Sequence, residues 1–277
     1  MRRVRGVFVA VMLLIVAAGA SPFGQSSTPA QPTDVQIYEA FRAWASKLPR
    51  DEQPSALQRY EKVLADQGVA AAEAQRRIRV ITEQGQRLEV DRWNRILTAA
   101  DPTFNTNPNA FLVRMIQGRR PGTALDVGMG QGRNAIYLAQ QGWTVTGFDP
   151  ADKAVAAALA DAQKAGVKLT TAIVGDEAFD FGRDRWDLIV LSYVSLRHLV
   201  DRIRDSLKPG GLVVIEAFHR DALKQGSIGS GVVFDTNELL KTFDGLRIVH
   251  YEDATARGDF GFTKGETRVV RLAAEKP

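Results

Sequence analysis

Leu125-Asp126-Val127-Gly128-Met129-Gly130-Gln131-Gly132-Arg133-Asn134 runs from a short apolar segment into a helical pattern through glycines at every second position. Glycine lets a backbone turn tightly and approach a ligand where any side chain would collide. A ligand held there faces amide groups at a helix N-terminus, which suits a carboxylate or a phosphate. A glycine-rich turn alone is weak evidence, because a purely structural turn has the same composition. Three features add to it. The spacing is G-x-G-x-G, with Arg133 where a dinucleotide-binding loop would carry its third glycine. Asp126 closes the strand ahead of the first glycine, and the next predicted strand ends in Asp149, close to the spacing at which an acidic side chain grips ribose hydroxyls.

Outward from the loop, strands alternate with helices. The predicted strands are 124–127, 144–148, 168–174, 187–191 and 212–217, and the helices between them are 134–141, 151–165 and 195–207. Such alternation implies right-handed βαβ units and a parallel sheet covered on both faces. Two further strands, 246–251 and 267–273, are joined by loop alone and should pair antiparallel at one edge. The expected fold is α/β: a Rossmann-like, doubly wound, mostly parallel seven-stranded sheet with an antiparallel edge strand, occupying residues 119–277. Leu207-Lys208-Pro209-Gly210-Gly211 reads as a turn before the fifth strand.

Upstream the texture differs. Residues 34–118 hold no convincing strand and read as a helical N-terminal segment, with helices over 35–47, 55–67 and 70–98 and Pro49 and Pro54 between the first two. This segment is expected to cap the main domain; a lid over substrate or a subunit contact are sharper possibilities. Residues 21–33, rich in Ser, Pro and Gln, read as a flexible leader. Residues 1–20 have the pattern of an export signal: Arg2, Arg3 and Arg5, then the apolar run Val7 to Ala18, then Ala18-Gly19-Ala20. The run is shorter than the roughly 20 residues of a bilayer-spanning helix, so a cleaved signal is favoured over a retained anchor. The expected localisation is therefore periplasmic or secreted, with no stable membrane insertion beyond this segment.

Removal of those three arginines takes the formal charge of +4 down by three, so composition makes no case for a polyanionic partner. The chain has no cysteine, which excludes a disulfide framework, thiolate metal sites and a cysteine nucleophile. Its three histidines, His198, His219 and His250, do not stand at metal-ligand spacing, and no metal is expected.

The glycine loop, Asp126 and Asp149 together resemble motif I and the following acidic position of the class I S-adenosylmethionine-dependent methyltransferases. Gly130-Gln131-Gly132-Arg133-Asn134 with Tyr137-Leu138-Ala139 and Gly142, and Pro108-Asn109-Ala110-Phe111-Leu112 ahead of the first strand, are most similar to the tellurite-resistance and thiopurine-type small-molecule enzymes. The resemblance implies S-adenosylmethionine as cofactor, held by Asp126, Gly128, Gly130, Gly132, Arg133, Asn134, Asp149, Asp176 and Ser192. In it Asp149 takes the ribose, Asp176 lies by the adenine, and Ser192 ends the strand that borders the transferred methyl. It also implies a small-molecule acceptor, a soft nucleophile, rather than nucleic acid. Oligomeric state is left open.

Ligands of open α/β sheets bind beyond the carboxyl ends of the strands. That places Tyr193 and His219 as candidate catalytic residues. Tyr193 reads equally as a pocket wall or as an ordinary aromatic at a strand end. His219 reads as a base, as a substrate contact, or as a surface-loop histidine. Arg133 pairs with an anionic group of cofactor or substrate, or is solvated. Gly226, Gly229 and Gly231 mark a loop near the substrate or a plain surface loop. Two rivals stand beside the methyltransferase: a nucleotide-dependent oxidoreductase on the same fold, which the missing third glycine disfavours, and a non-catalytic exported nucleotide-binding or structural domain.

Overall fold

Capping, period and burial each leave a visible mark on how the chain folds. The computed structural model describes residues 31–102, 104–225, 228–259 and 265–277; the signal and most of the leader expected from the sequence lie outside them. Helix α1 (Asp34–Ala45) starts with a capping box, in which the Thr33 hydroxyl accepts from the Gln36 N–H and the Gln36 side chain accepts in return from the Thr33 N–H. A 3₁₀ turn (Arg50–Ser55) contains Pro54 and leads into α2 (Ala56–Asp66) and the long α3 (Ala71–Leu97). These helices bury Ile37, Tyr60, Leu64, Val80, Ile81 and Leu88 among themselves. Only α4 (Ala110–Ile116) follows before the sheet, because Asn109 caps it late by accepting from the Leu112 N–H at 2.9 Å.

The sheet then forms from β1 (Thr123–Val127), β2 (Thr144–Phe148), β3 (Thr170–Ala172), β4 (Trp186–Ser192), β5 (Leu207–His219), a two-residue β6 (Val233–Phe234), β7 (Arg247–Arg257) and β8 (Glu266–Glu275). Its order is β3-β2-β1-β4-β5-β8-β7, with β6 alongside the end of β5. Strands β1 to β5 run parallel, and β8 is antiparallel to both β5 and β7. This is the Rossmann-like arrangement expected. Both faces are buried with period two: Leu125, Ile189, Leu191, Val213 and Ile215 face one layer, and Ala124, Leu188, Val190, Leu212 and Val214 the other. Helices α5 (Arg133–Gln140), α6 (Asp152–Lys164), α7 (Val200–Ser206) and α8 (Glu238–Thr242) complete the domain.

Three boundaries differ from the sequence reading. The turn expected at Lys208-Pro209-Gly210-Gly211 is drawn into β5 as an irregular start, with Leu207 against Trp186 and the register shifting before Leu188 meets Leu212. Gly211 permits it, since a Cβ there would lie 2.7 Å from the Trp186 carbonyl oxygen. Strand β7 continues through Glu252 and Asp253, expected as loop, because their charges are met across the ladder by Arg271 and Arg268, each at 2.6 Å. The helix expected over 195–207 is a 3₁₀ turn (Arg197–Leu199) followed by the short α7. Among the described residues no helix is long and apolar enough to cross a membrane.

Candidate active site

Parallel strands bring Val127, Phe148 and Ser192 to one end of the sheet, and the glycine loop crosses that end. All three loop glycines have positive φ. At Gly132, the N-cap of α5 with φ of 79°, a Cβ would lie 2.9 Å from that of Ala158, so glycine is what lets α5 and α6 close together. Gly130, at φ of 54°, has the Leu97 side chain 3.3 Å from where a Cβ would stand.

Two adjoining cavities share Leu97, Gly128, Gly130 and Ser192 as walls. The larger, about 310 Å³, also has Trp93, Phe148, Asp149, Asp176, Tyr193 and Val232 on its surface. The smaller, about 40 Å³, lies against Asp126, Gln131, Arg133 and Asn134. Of the nine positions assigned to a cofactor, the structure thus gathers Asp126, Gly128, Gly130, Arg133, Asn134, Asp149, Asp176 and Ser192 on the cavity walls, while Gly132 packs behind the loop.

Their electrostatics follow from burial. Asp126 is fully enclosed; desolvation pushes its carboxyl up to about 7, against the pull of the Arg133 charge and a backbone N–H at Ala135. Its Oδ2 has no hydrogen-bond partner, and neither has Nε2 of Gln131 on the same cavity. Burial also raises Asp149, although its two oxygens accept from the N–H groups of Gly130 (2.9 Å) and Ala151 (2.8 Å). Asp149 therefore braces the loop as well as facing the cavity. Asp176, at the rim, is paired with Nε2 of His198 at 2.9 Å.

Asn134 is buried behind the loop, where its Oδ1 accepts from the Asn109 N–H (2.9 Å) and its Nδ2 donates to Ser192 Oγ (3.3 Å). Arg133, which the sequence reading left between an anionic ligand and solvent, is nearly buried and ion-paired with Asp259 at 2.7 Å. The Tyr193 ring forms part of the larger cavity's wall, but its hydroxyl donates to Glu216 and accepts from the Asp259 N–H (2.7 Å). Burial first, then the Glu216 charge, holds this phenol well above its ordinary range, so it is no base near neutral pH. His219 lies beyond both cavities. Its Nδ1 accepts from the Asp221 N–H (3.1 Å) and its Nε2 meets Thr236 Oγ1 (3.0 Å), so both ring nitrogens are engaged elsewhere. The geometry gives His219 no place as base or substrate contact. Gly226 lies outside the described residues, while the segment after Gly229 puts Val232 on the larger cavity.

Sequence reasoning passed over Trp93 and Leu97 of α3, which it read as helical packing, and over Glu216, Asp259 and Gln131. The one available signal was Asn94, a polar residue within the apolar pattern Trp93, Ile96, Leu97. Among the described residues no cluster of three or more His, Asp or Glu could hold a metal ion.

Residues 124–211 match the family described as a methyltransferase domain. The ribosomal RNA small subunit methyltransferase C of Alcanivorax borkumensis is 26% identical over 161 residues, 50% of this chain and 49% of that protein. The ubiquinone biosynthesis O-methyltransferase of Rhizobium leguminosarum bv. trifolii is 31% identical over 124 residues, 42% of this chain and 46% of that one. The chain thus spans about half the length of these curated relatives. Among solved structures, TehB from Haemophilus influenzae superposes with a TM-score of 0.51 at 19% identity, over 61% of this chain and 62% of that one, a likeness of fold. The chain therefore carries a class I methyltransferase domain. The two cavities fit S-adenosylmethionine: the unpartnered Asp126 Oδ2 suits an ammonium, the unpartnered Gln131 amide suits a carboxylate, and Asp149 faces the larger space where ribose hydroxyls would need an acceptor.

Proposed function

We propose that the protein is an S-adenosylmethionine-dependent methyltransferase acting on a small acceptor whose reacting atom is a soft nucleophile. The cofactor, when bound, supplies an activated methyl group on a sulfonium centre. The protein's share is then orientation and the exclusion of water. Asp126 and Gln131 would hold the amino-acid end, Asp149 the ribose, and Trp93, Leu97, Phe148 and Val194 would keep the space apolar.

The observation that carries the acceptor reading is the engagement of every titratable side chain on the larger cavity: Asp149 by two backbone N–H groups, Asp176 by His198, Tyr193 by Glu216. An acceptor that must lose a proton needs a base. A thiolate, selenide or tellurite-derived anion does not. The walls of the larger cavity also include no lysine or arginine, which supports a small molecule over a nucleic acid, whose phosphates call for clustered cations. The relative that acts on ribosomal RNA makes RNA the second reading to test.

Transfer of labelled methyl from S-adenosylmethionine should be measured for thiols, thiopurines, selenite and tellurite beside phenols, peptides, DNA and RNA. Turnover of a soft small molecule, with rates on the macromolecules no higher than background, is expected. Turnover confined to RNA, or to phenols, would overturn the acceptor reading and leave the methyltransferase reading standing.

A further inference from the structure

The helical N-terminal segment is anchored on both sides of the larger cavity. On one side stands Asn94 of α3, a buried polar side chain. Its Nδ2 donates to Asp152 Oδ1 at 2.7 Å and its Oδ1 accepts from the Lys153 N–H at 3.0 Å, so both ends of the amide are used on the first turn of α6. On the other side Arg50, in the 3₁₀ turn after α1, reaches Glu238 Oε1 (2.9 Å) and the Val233 carbonyl (3.1 Å). Those acceptors lie beside Val232, which itself faces the cavity. Arg197 holds the same two acceptors from within the α/β domain, at 2.6 Å each, and its guanidinium lies over the Phe234 ring. That makes the Arg50 anchorage a rigid one.

Between the anchorages α3 sets Trp93 and Leu97 against the cavity, with Leu97 facing Gly130 and touching both cavities. Little else joins α3 to the sheet domain. The helices around it bury their own separate core, so they can move as a body without opening the core of the sheet.

We propose that this segment is a latched lid on the cofactor cavity, with Asn94 and Arg50 as positioning residues that set how fast cofactor and product exchange. The proposal rests on the cavity holding S-adenosylmethionine, as proposed above. A ligand under Trp93 and Leu97 leaves when α3 lifts, and lifting breaks the Asn94 and Arg50 contacts first. Exchange then follows lid opening, a step that often limits turnover in enzymes with closing segments.

The test is the dissociation of labelled S-adenosylmethionine from the full chain, chased with an excess of unlabelled S-adenosylhomocysteine. Asn94→Ala and Arg50→Ala should each release the label about ten-fold faster, a change carried by the off-rate. Asn94→Asp alone sets a carboxylate against Asp152 and should also be fast. Combining it with Asp152→Asn restores one donor and one acceptor and should return the rate to within about two-fold of the parent, as a double-mutant cycle requires of a direct pair. Thermal unfolding of each variant separates this from a loss of fold: a purely structural role would lower the unfolding temperature and leave the off-rate of the folded fraction unchanged. Parental off-rates in both single variants, or a double variant as fast as Asn94→Asp, would overturn the lid. A parent chain that binds no S-adenosylmethionine would instead overturn the cofactor reading beneath it.

Discussion

Replacing Gly130 with valine should abolish S-adenosylmethionine binding in a protein that still folds. The residue sits at φ of 54°, a region that a β-branched side chain avoids, and a Cβ there would press on the Leu97 side chain at 3.3 Å. It also faces both cavities and donates its N–H to Asp149. The new side chain thus fills ligand space and tilts the loop away from its carboxylate brace together. Backbone strain of this kind costs of order 1–3 kcal/mol, against a total stability of about 5–15 kcal/mol for a domain, so the fold should survive. The binding space would not. An affinity loss beyond about a hundred-fold is expected in equilibrium titration, with circular dichroism showing an intact fold. A folded Gly130→Val variant that keeps affinity within a few-fold of the parent would contradict the placement of the cofactor on this loop.

Asp149→Ala should weaken cofactor binding by about ten- to hundred-fold, the roughly 1.5–3 kcal/mol typical of removing a charged partner from a buried hydrogen bond. Each carboxylate oxygen already accepts one backbone N–H, from Gly130 or Ala151, and each has a second lone pair to offer a ligand hydroxyl. Asn in place of Asp separates the two duties: its one carbonyl oxygen can keep a single bond, so Asp149→Asn should fall between parent and alanine variant. Unchanged affinity in Asp149→Ala would remove the carboxylate from the binding site and leave it only a loop-bracing role. Asp176 should matter less, since it stands at the rim and already pairs with His198.

How far the sequence carried depends on whether a feature is local. Strands β1, β2 and β4 were legible because buried parallel strands are apolar on both faces, and the helices α1 to α3 because their apolar positions recur at helical spacing. The glycine loop, Asp126 and Asp149 were legible for the same reason: tight turns and strand ends are written in consecutive residues. The start of β5 was not, because proline and glycines punctuate locally while pairing with Trp186 overrides them. The length of β7 was hidden too, since Glu252 and Asp253 look like loop until Arg271 and Arg268 face them.

The same distinction separates the parts of the site. Trp93, Asn94 and Leu97 reach the cavity only through the docking of α3, and Asp259 meets Arg133 across more than a hundred residues of chain. Nothing in their neighbours announces either role. His219 is the reverse case. Its position after a strand of the sheet pointed to the site, but Asp221 and Thr236 take both of its nitrogens. Strand-end position tells which residues are near the chemistry; the hydrogen-bond partners decide which are available for it.

Isothermal titration of the protein with S-adenosylmethionine is the measurement that bears most directly on this account. One site per chain with micromolar affinity is expected, and NADH titrated under the same conditions should give no heat. No binding of S-adenosylmethionine by a folded protein, or saturable binding of NADH in its place, would contradict it.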